Sequence, residues 1–93
     1  AINLLAARLT KDRNDAFLWY NLANAFLQSK DYNKAIDAYS EAILHDAQLA
    51  EAYYNRALTL VFIGETKLAM SDLSKAGELG LSEAYVVMKR FGK

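Results

Sequence analysis

Several features that would define a function are missing from this 93-residue chain. It contains no cysteine, which excludes disulfide bonds and thiolate metal sites. Its eleven basic residues balance eleven acidic residues, so no strong field favours nucleic acid or an anionic membrane surface. No apolar run approaches the roughly 20 residues that span a bilayer. The sequence therefore predicts neither a nucleic-acid partner nor a membrane span, and it assigns no compartment.

Catalytic and metal-binding patterns are missing as well. His45 is the single histidine and has no partner base or nucleophile in a recognisable arrangement, which favours a structural role in the last turn of a helix. The carboxylate pairs Asp12 with Asp15 and Asp37 with Glu41 are typical of solvated charge at helix ends or on exposed faces. Four scattered glycines form no phosphate-binding loop. We expect no enzyme activity, no metal and no cofactor.

What the chain does have is an internal repeat with a period of 34 residues. The segment AYYNRA at 52–57 repeats LWYNLA at 18–23, and the same offset relates Ala35 to Ala69 and, carried backwards, to Ala1. Small residues match small residues and large apolar residues match large ones. Agreement of this kind indicates a repeat architecture.

Within one period the apolar residues are spaced as on one face of a helix, as Trp19, Leu22 and Phe26 show. Six helices are predicted, near residues 1–11, 15–29, 32–45, 49–63, 66–79 and 82–91. The loops between them are short, which favours antiparallel neighbours. Each two-helix unit leaves an apolar face uncovered and has to stack on the next unit. The pattern predicts an all-α solenoid of antiparallel helix pairs.

Small residues recur where two helices would approach closely. These alanines are Ala23, Ala35, Ala57 and Ala69. The aromatic side chains that would fill the space between turns are Trp19, Phe26, Tyr32 and Tyr39. At the break between helices Gly64 can end a helix in a left-handed conformation, and the offset places Lys30 in that slot.

The string W-Y-N-L-A-x-A-F followed by D-Y-x-K-A-I-x-x-Y-x-x-A-I resembles a tetratricopeptide repeat. The resemblance covers essentially the whole chain and implies a right-handed solenoid. It divides the chain into the second helix of a partial repeat (1–15), two repeats (16–49 and 50–81) and a C-terminal capping helix (82–93). Lys30 replaces the glycine-type residue between helices, and Ala47 and Leu81 replace the usual proline.

The resemblance also implies a function, because such repeats are protein-interaction scaffolds whose first helices line a concave groove. Carried over by position, the groove residues are Phe17, Tyr20, Asn24, Leu27, Gln28, Glu51, Tyr54, Asn55, Leu58, Val61, Phe62, Val86 and Arg90. We expect an apolar groove that binds a peptide or a helix of a partner protein, with Asn24 and Asn55 fixing its orientation. Asn55 can instead bond the backbone of a neighbouring helix, and the last helix can instead cover Leu58, Val61 and Phe62.

Two further interpretations follow from the same residues. A homodimer, or a fragment of a longer array, would use the same apolar surface for self-association. A subclass of the family binds C-terminal carboxylates with Lys and Asn in one repeat, Asn in the next, and Lys and Arg in a third. Asn24 and Asn55 match that pattern, but Tyr20 replaces the first lysine, and Glu83 and Val87 replace the third-repeat cations. A carboxylate needs charged donors, so we expect no such clamp.

Overall fold

The computed structural model describes residues 15–91, and this part of the chain forms five α-helices and no strand. The helices are α1 (Ala16–Gln28), α2 (Tyr32–His45), α3 (Ala50–Phe62), α4 (Thr66–Glu78) and α5 (Glu83–Phe91). They agree with five of the six predicted helices to within one residue at each end. The helix predicted near 1–11 lies outside the described residues. Each helix packs on the next along the chain, and α1 also touches α3. The prediction of an all-α solenoid of helix pairs is confirmed.

A side-chain cap fixes the start of α1. The Asp15 carboxylate accepts hydrogen bonds from the backbone N–H of Phe17 (2.9 Å) and of Leu18 (3.3 Å). Two N–H groups that have no partner inside the helix are thereby satisfied. The cap fixes the residue at which α1 begins.

The turn between α1 and α2 places a lysine in a left-handed conformation. Lys30 has a φ of 62°, and its repeat counterpart Gly64 has a φ of 86°. The turn is closed by a hydrogen bond from the Asp31 N–H to the Phe26 carbonyl (2.9 Å), which is the six-to-one bond of a glycine-type helix end. The prediction that Lys30 occupies the glycine slot is confirmed, and the turn carries strain that Gly64 avoids.

We therefore expect Lys30→Gly to stabilise the protein by about 1 kcal/mol, since glycine adopts this conformation without a Cβ clash. Gly64→Ala should have the opposite effect and cost about 1 kcal/mol, although a Cβ there meets no atom within 4 Å. Urea denaturation followed by circular dichroism measures both changes. A destabilising Lys30→Gly would contradict the assignment of strain to this turn.

Two clusters of buried residues form the core, one per repeat. The first lies between α1 and α2 and reaches α3, and it contains Ala23, Ala35, Ala38, Tyr39, Ala42 and Ala52. The second joins α3, α4 and α5 and contains Tyr53, Ala57, Leu60, Ala69, Leu73, Ala76 and Ala84. The four alanines predicted at close helix approaches are all 0% exposed. Small side chains let the helices approach, and dispersion contacts of the larger ones fill the remaining space.

An ion pair links three helices in the second repeat. The Arg56 guanidinium of α3 donates from Nε and Nη2 to the two Asp72 carboxylate oxygens of α4, both at 2.7 Å. A third bond runs from Arg56 Nη1 to Ser40 Oγ of α2 (3.0 Å). The side chains of Arg56 and Asp72 are only 22% and 10% exposed. Hydrogen bonding to Asp72 raises the pKa of Arg56, so the pair remains charged.

The last helix docks on α4 through one face. Ala84 is buried, and Val87 and Met88 pack against the second cluster. The Tyr85 ring lies over Gly77, so closely that a Cβ added to Gly77 would come within 2.7 Å of Cε1. Val86 lies on the opposite face and stays 63% exposed. α5 therefore packs with one face on the second repeat and leaves the other face accessible.

Candidate partner-binding surface

The thirteen residues predicted to line the groove are called the groove surface below. They belong to α1, α3 and α5. None of them is fully buried. The exposed members are Phe17, Gln28, Glu51, Phe62, Val86 and Arg90. The half-buried members are Tyr20, Asn24, Leu27, Tyr54, Asn55, Leu58 and Val61.

At the centre of the groove surface, side chains from three helices form one hydrogen-bond network. The Asn55 Nδ2 of α3 donates to Tyr20 Oη and to Asn24 Oδ1 of α1, both at 3.1 Å. The Tyr39 hydroxyl of α2 donates to the same Asn24 oxygen. The network brings together three of the predicted site residues. Asn55 therefore donates to side chains of the neighbouring helix α1, and not to the backbone of that helix.

Tyr39 is the member that sequence reasoning missed, since it was predicted only to fill space. Its side chain is fully buried, but its hydroxyl reaches the groove surface at Asn24. Burial raises the pKa of Tyr39, and the neighbouring Tyr20 adds to the shift. The hydroxyl therefore stays protonated and keeps its donor role over the whole neutral range.

The raised pKa predicts a loss of stability at alkaline pH. An unfolded tyrosine ionises near pH 10, whereas Tyr39 in the folded chain stays protonated to higher pH. The unfolded state then binds fewer protons, so the unfolding free energy is unaffected below about pH 9 and falls above pH 10 by up to about 1.4 kcal/mol per pH unit. Urea midpoints between pH 7 and 11 measure the slope. Tyr39→Phe should flatten it; a slope in Tyr39→Phe equal to that of the wild type would contradict the assignment.

An aromatic stack flanks the network on α1. The Phe17 and Tyr20 ring centroids are 6.0 Å apart with an interplanar angle of 28°. Tyr20 also lies 6.0 Å from the Tyr39 ring, tilted by 55°. Phe17 is 60% exposed. Its ring is therefore held in place by Tyr20 while most of it remains accessible to another molecule.

The α3 part of the groove surface divides into covered and accessible side chains. Tyr54 and Val61 pack against the second core cluster. Phe62 is 61% exposed and lies 5.5 Å from the Tyr32 ring of α2, centroid to centroid. Phe62 thus sits at the end of α3, beside the start of α2. The last helix does not bury it.

On α5 the groove surface ends in basic residues. Lys89 and Arg90 occupy the last turn of α5 and are both exposed. At the offset of 34 residues, Lys89 is the repeat counterpart of Asn55, and Tyr85 is the counterpart of Glu51. Arg90 is the basic member of the groove surface, in the last turn of α5.

Neither a metal-binding cluster nor a membrane-spanning helix is found among residues 15–91. His45 lies in the last turn of α2 with its Nε2 3.8 Å from a Glu41 carboxylate oxygen. Between Asp15 and Phe91 no group of three histidine, cysteine, aspartate or glutamate side chains could hold a metal ion. Among the same residues no helix has the length and hydropathy needed to cross a membrane.

Comparison with known proteins agrees with this geometry. The model of the tetratricopeptide repeat matches residues 16–48, and a second model of the same repeat matches residues 50–79. A DnaJ homolog subfamily C member 7 homolog from Schizosaccharomyces pombe is 43% identical over 60 residues, covering 62% of this chain and 13% of that protein. The chain thus spans only a small part of this curated relative.

Solved structures share the fold at lower identity. The first tetratricopeptide repeat domain of Spaghetti (RPAP3), bound to the HSP90 peptide SRMEEVD, superposes with a TM-score of 0.93 at 19% identity, covering 98% of this chain and 74% of that one. The type III secretion translocator chaperone SycD of Yersinia enterocolitica gives a TM-score of 0.94 at 20% identity, covering 98% and 69%. Together with the two matched repeats, these findings show that the chain belongs to the tetratricopeptide repeat family and is a protein-interaction module.

Proposed function

We propose that this module binds a peptide segment of a partner protein on the groove surface, around the network of Tyr20, Asn24, Tyr39 and Asn55. The observation that carries the proposal is how that network uses its atoms. Both Asn55 Nδ2 hydrogens are directed to Tyr20 and Asn24, and the Asn24 oxygen accepts two bonds. The two amides are therefore locked in one orientation before any partner arrives.

Within the described residues, the network leaves two side-chain amide atoms without a partner. One is a donor on α1 and the other is an acceptor on α3. Asn24 Nδ2 and Asn55 Oδ1 make no hydrogen bond within residues 15–91, and no buried side-chain nitrogen or oxygen there is left unpaired. Both atoms must then be accessible to solvent. A peptide group carries one C=O acceptor and one N–H donor, which complement Asn24 Nδ2 and Asn55 Oδ1. We propose that these two side-chain atoms bind one main-chain amide of the partner.

The surrounding surface favours a neutral, apolar segment. The four network residues carry no formal charge, and the exposed rings of Phe17 and Phe62 lie on either side of them along the groove helices. Preordered rings of this kind are typical of binding hot spots, since little entropy is lost on contact. Carboxylates require charged donors, and within the described part of the groove helices the basic side chains outside the Arg56–Asp72 pair are Lys89 and Arg90 at the far end of α5.

Selection from a displayed random-peptide library on the wild-type protein tests the proposal. Enriched peptides should carry apolar or aromatic residues and should bind equally well as free acids and as C-terminal amides. Isothermal titration of one such peptide in both forms measures this directly, with SRMEEVD, the peptide bound by the RPAP3 domain, as the acidic comparison. Tight binding of SRMEEVD, or a strong preference for the free acid, would contradict the neutral groove.

A second copy of the chain is the alternative occupant, because the same exposed rings could pack between protomers. Light scattering on size-exclusion eluate over a range of concentrations separates the two cases. A monomer at every concentration supports the peptide-binding function. A dimer that Tyr54→Ala dissociates would mean that the groove surface is already occupied by another copy.

A further inference from the structure

The Tyr20 hydroxyl carries a hydrogen that no acceptor within residues 15–91 receives. Its oxygen lies 3.1 Å from Asn55 Nδ2, and it makes no other hydrogen bond in this part of the chain. An amide nitrogen is a donor only, so the Tyr20 oxygen is the acceptor in this bond and the hydroxyl hydrogen is not used. Tyr39 differs, because its hydroxyl donates to Asn24. Tyr20 is therefore a donor that remains available at the groove surface.

The position of this donor is fixed by its neighbours. The Tyr20 ring lies against the rings of Phe17 and Tyr39, with both centroid distances at 6.0 Å. The bond from Asn55 holds the other end of the side chain. With the oxygen held in place, rotation about the C–O bond alone decides where the hydrogen is offered.

Tyr20 and Asn24 place two donors along one face of α1. Their oxygens accept from the same Asn55 nitrogen, so the two side chains end next to each other. The two residues are four positions apart, which is an axial rise of about 6 Å in a helix. An extended chain directs a main-chain carbonyl to one side at every second residue, about 7 Å apart. The spacings agree well enough for one extended segment to reach both donors.

We propose that Tyr20 binds a second main-chain carbonyl of the partner, two residues along the peptide from the carbonyl bound by Asn24. The inference rests on the proposed function. The C=O and N–H of one peptide group point to opposite sides of an extended chain, which matches Asn24 on α1 and Asn55 on α3. The peptide then lies extended between the two helices, with alternate carbonyls directed to α1.

A helical partner does not satisfy these side chains. Its main-chain carbonyls accept from N–H groups four residues further on, so only those of the last turn are free. The polar groups of Tyr20, Asn24 and Asn55 would then lose water without gaining a partner, which costs free energy. Tyr20 thus makes the groove surface specific for an extended segment over a helix.

Replacement of single peptide bonds in a selected peptide tests the proposal. A trans-alkene keeps the extended shape of the bond but removes its C=O and its N–H. In isothermal titration with the wild-type protein, two bonds that lie two residues apart should be sensitive, and each replacement should weaken binding by roughly tenfold. In Tyr20→Phe, which keeps the ring, one of these replacements should have no further effect while the other keeps its effect.

The scan separates failure of this inference from failure of the proposed function. A single sensitive bond, or two bonds that stay sensitive in Tyr20→Phe, would overturn the role of Tyr20 and leave the main-chain contact of Asn24 and Asn55 in place. The absence of any sensitive bond would overturn that contact as well.

Tyr85→Phe is the matched control for loss of a hydroxyl. Tyr85 is not part of the groove surface, and its hydroxyl makes no hydrogen bond within residues 15–91. The dissociation constant of Tyr85→Phe should stay within about twofold of wild type, whereas Tyr20→Phe should weaken binding by roughly fivefold or more. Equal affinities of Tyr20→Phe and wild type would overturn the proposal.

Discussion

Asp72→Ala should lower the unfolding free energy by about 3 kcal/mol, because it leaves the Arg56 guanidinium largely buried without its partner. The two side chains share two 2.7 Å hydrogen bonds and are 22% and 10% exposed. Removal of one partner from such a pair strands the other charge. For a domain of this size the loss corresponds to a fall in Tm of more than about 10 °C, which a thermal melt by circular dichroism measures.

The first repeat supplies the control for this prediction. The counterparts of Arg56 and Asp72 are Leu22 and Ala38, which are 6% and 3% exposed in the same packing position. The double variant Arg56→Leu with Asp72→Ala should therefore recover most of the loss and come within about 1 kcal/mol of wild type. Ser40 keeps its hydrogen bond to the Ile36 carbonyl (2.8 Å). If the double variant is as unstable as Asp72→Ala, the loss of unfolding free energy comes from the space left at residue 72 and not from the unpaired charge.

Asn55→Leu should weaken binding of a selected peptide by roughly 30-fold, about 2 kcal/mol, and it is the second large effect. The substitution removes the acceptor assigned to the partner and also releases Asn24, which Asn55 holds through a 3.1 Å bond. Two contacts to the main chain of the peptide are then lost or misaligned. Isothermal titration with the C-terminally amidated peptide measures the change, and far-UV circular dichroism checks that the variant is folded.

Asn21→Leu is the matched control for this experiment. Asn21 is the counterpart of Asn55 in the first repeat, but it takes no part in the network at the groove surface. Its replacement should change the dissociation constant by less than about twofold. Equal losses in both variants would mean that asparagine at this repeat position supports folding rather than recognition of the peptide.

The repeat made the fold predictable because its packing depends on residue size. Ala23 and Ala57 stand where two helices meet, and any larger residue would separate them, so small residues in register are a reliable signal. Lys30 was predicted in the same way, by its alignment with Gly64. These features are properties of one position at a time, and a sequence displays them directly.

The polar pairings were not predictable in the same way. At the offset of 34 residues, Arg56 and Asp72 stand where the first repeat has Leu22 and Ala38. Two opposite charges at positions that are apolar in the other repeat indicate an ion pair, and this signal was not used. Tyr39 gave no such signal. Whether its hydroxyl ends in the core or reaches Asn24 depends on the direction of the side chain and the spacing of α1 and α2, which composition does not display.

The most direct test of the groove assignment is the map of backbone amide chemical shifts of the isotope-labelled wild-type protein, titrated with a selected peptide. The largest changes should fall on α1 and α3 around Tyr20, Asn24 and Asn55. Changes concentrated around Ile36 and Leu68, or around Phe26 and Asp37, would place the partner on another face of the helices and contradict the assignment.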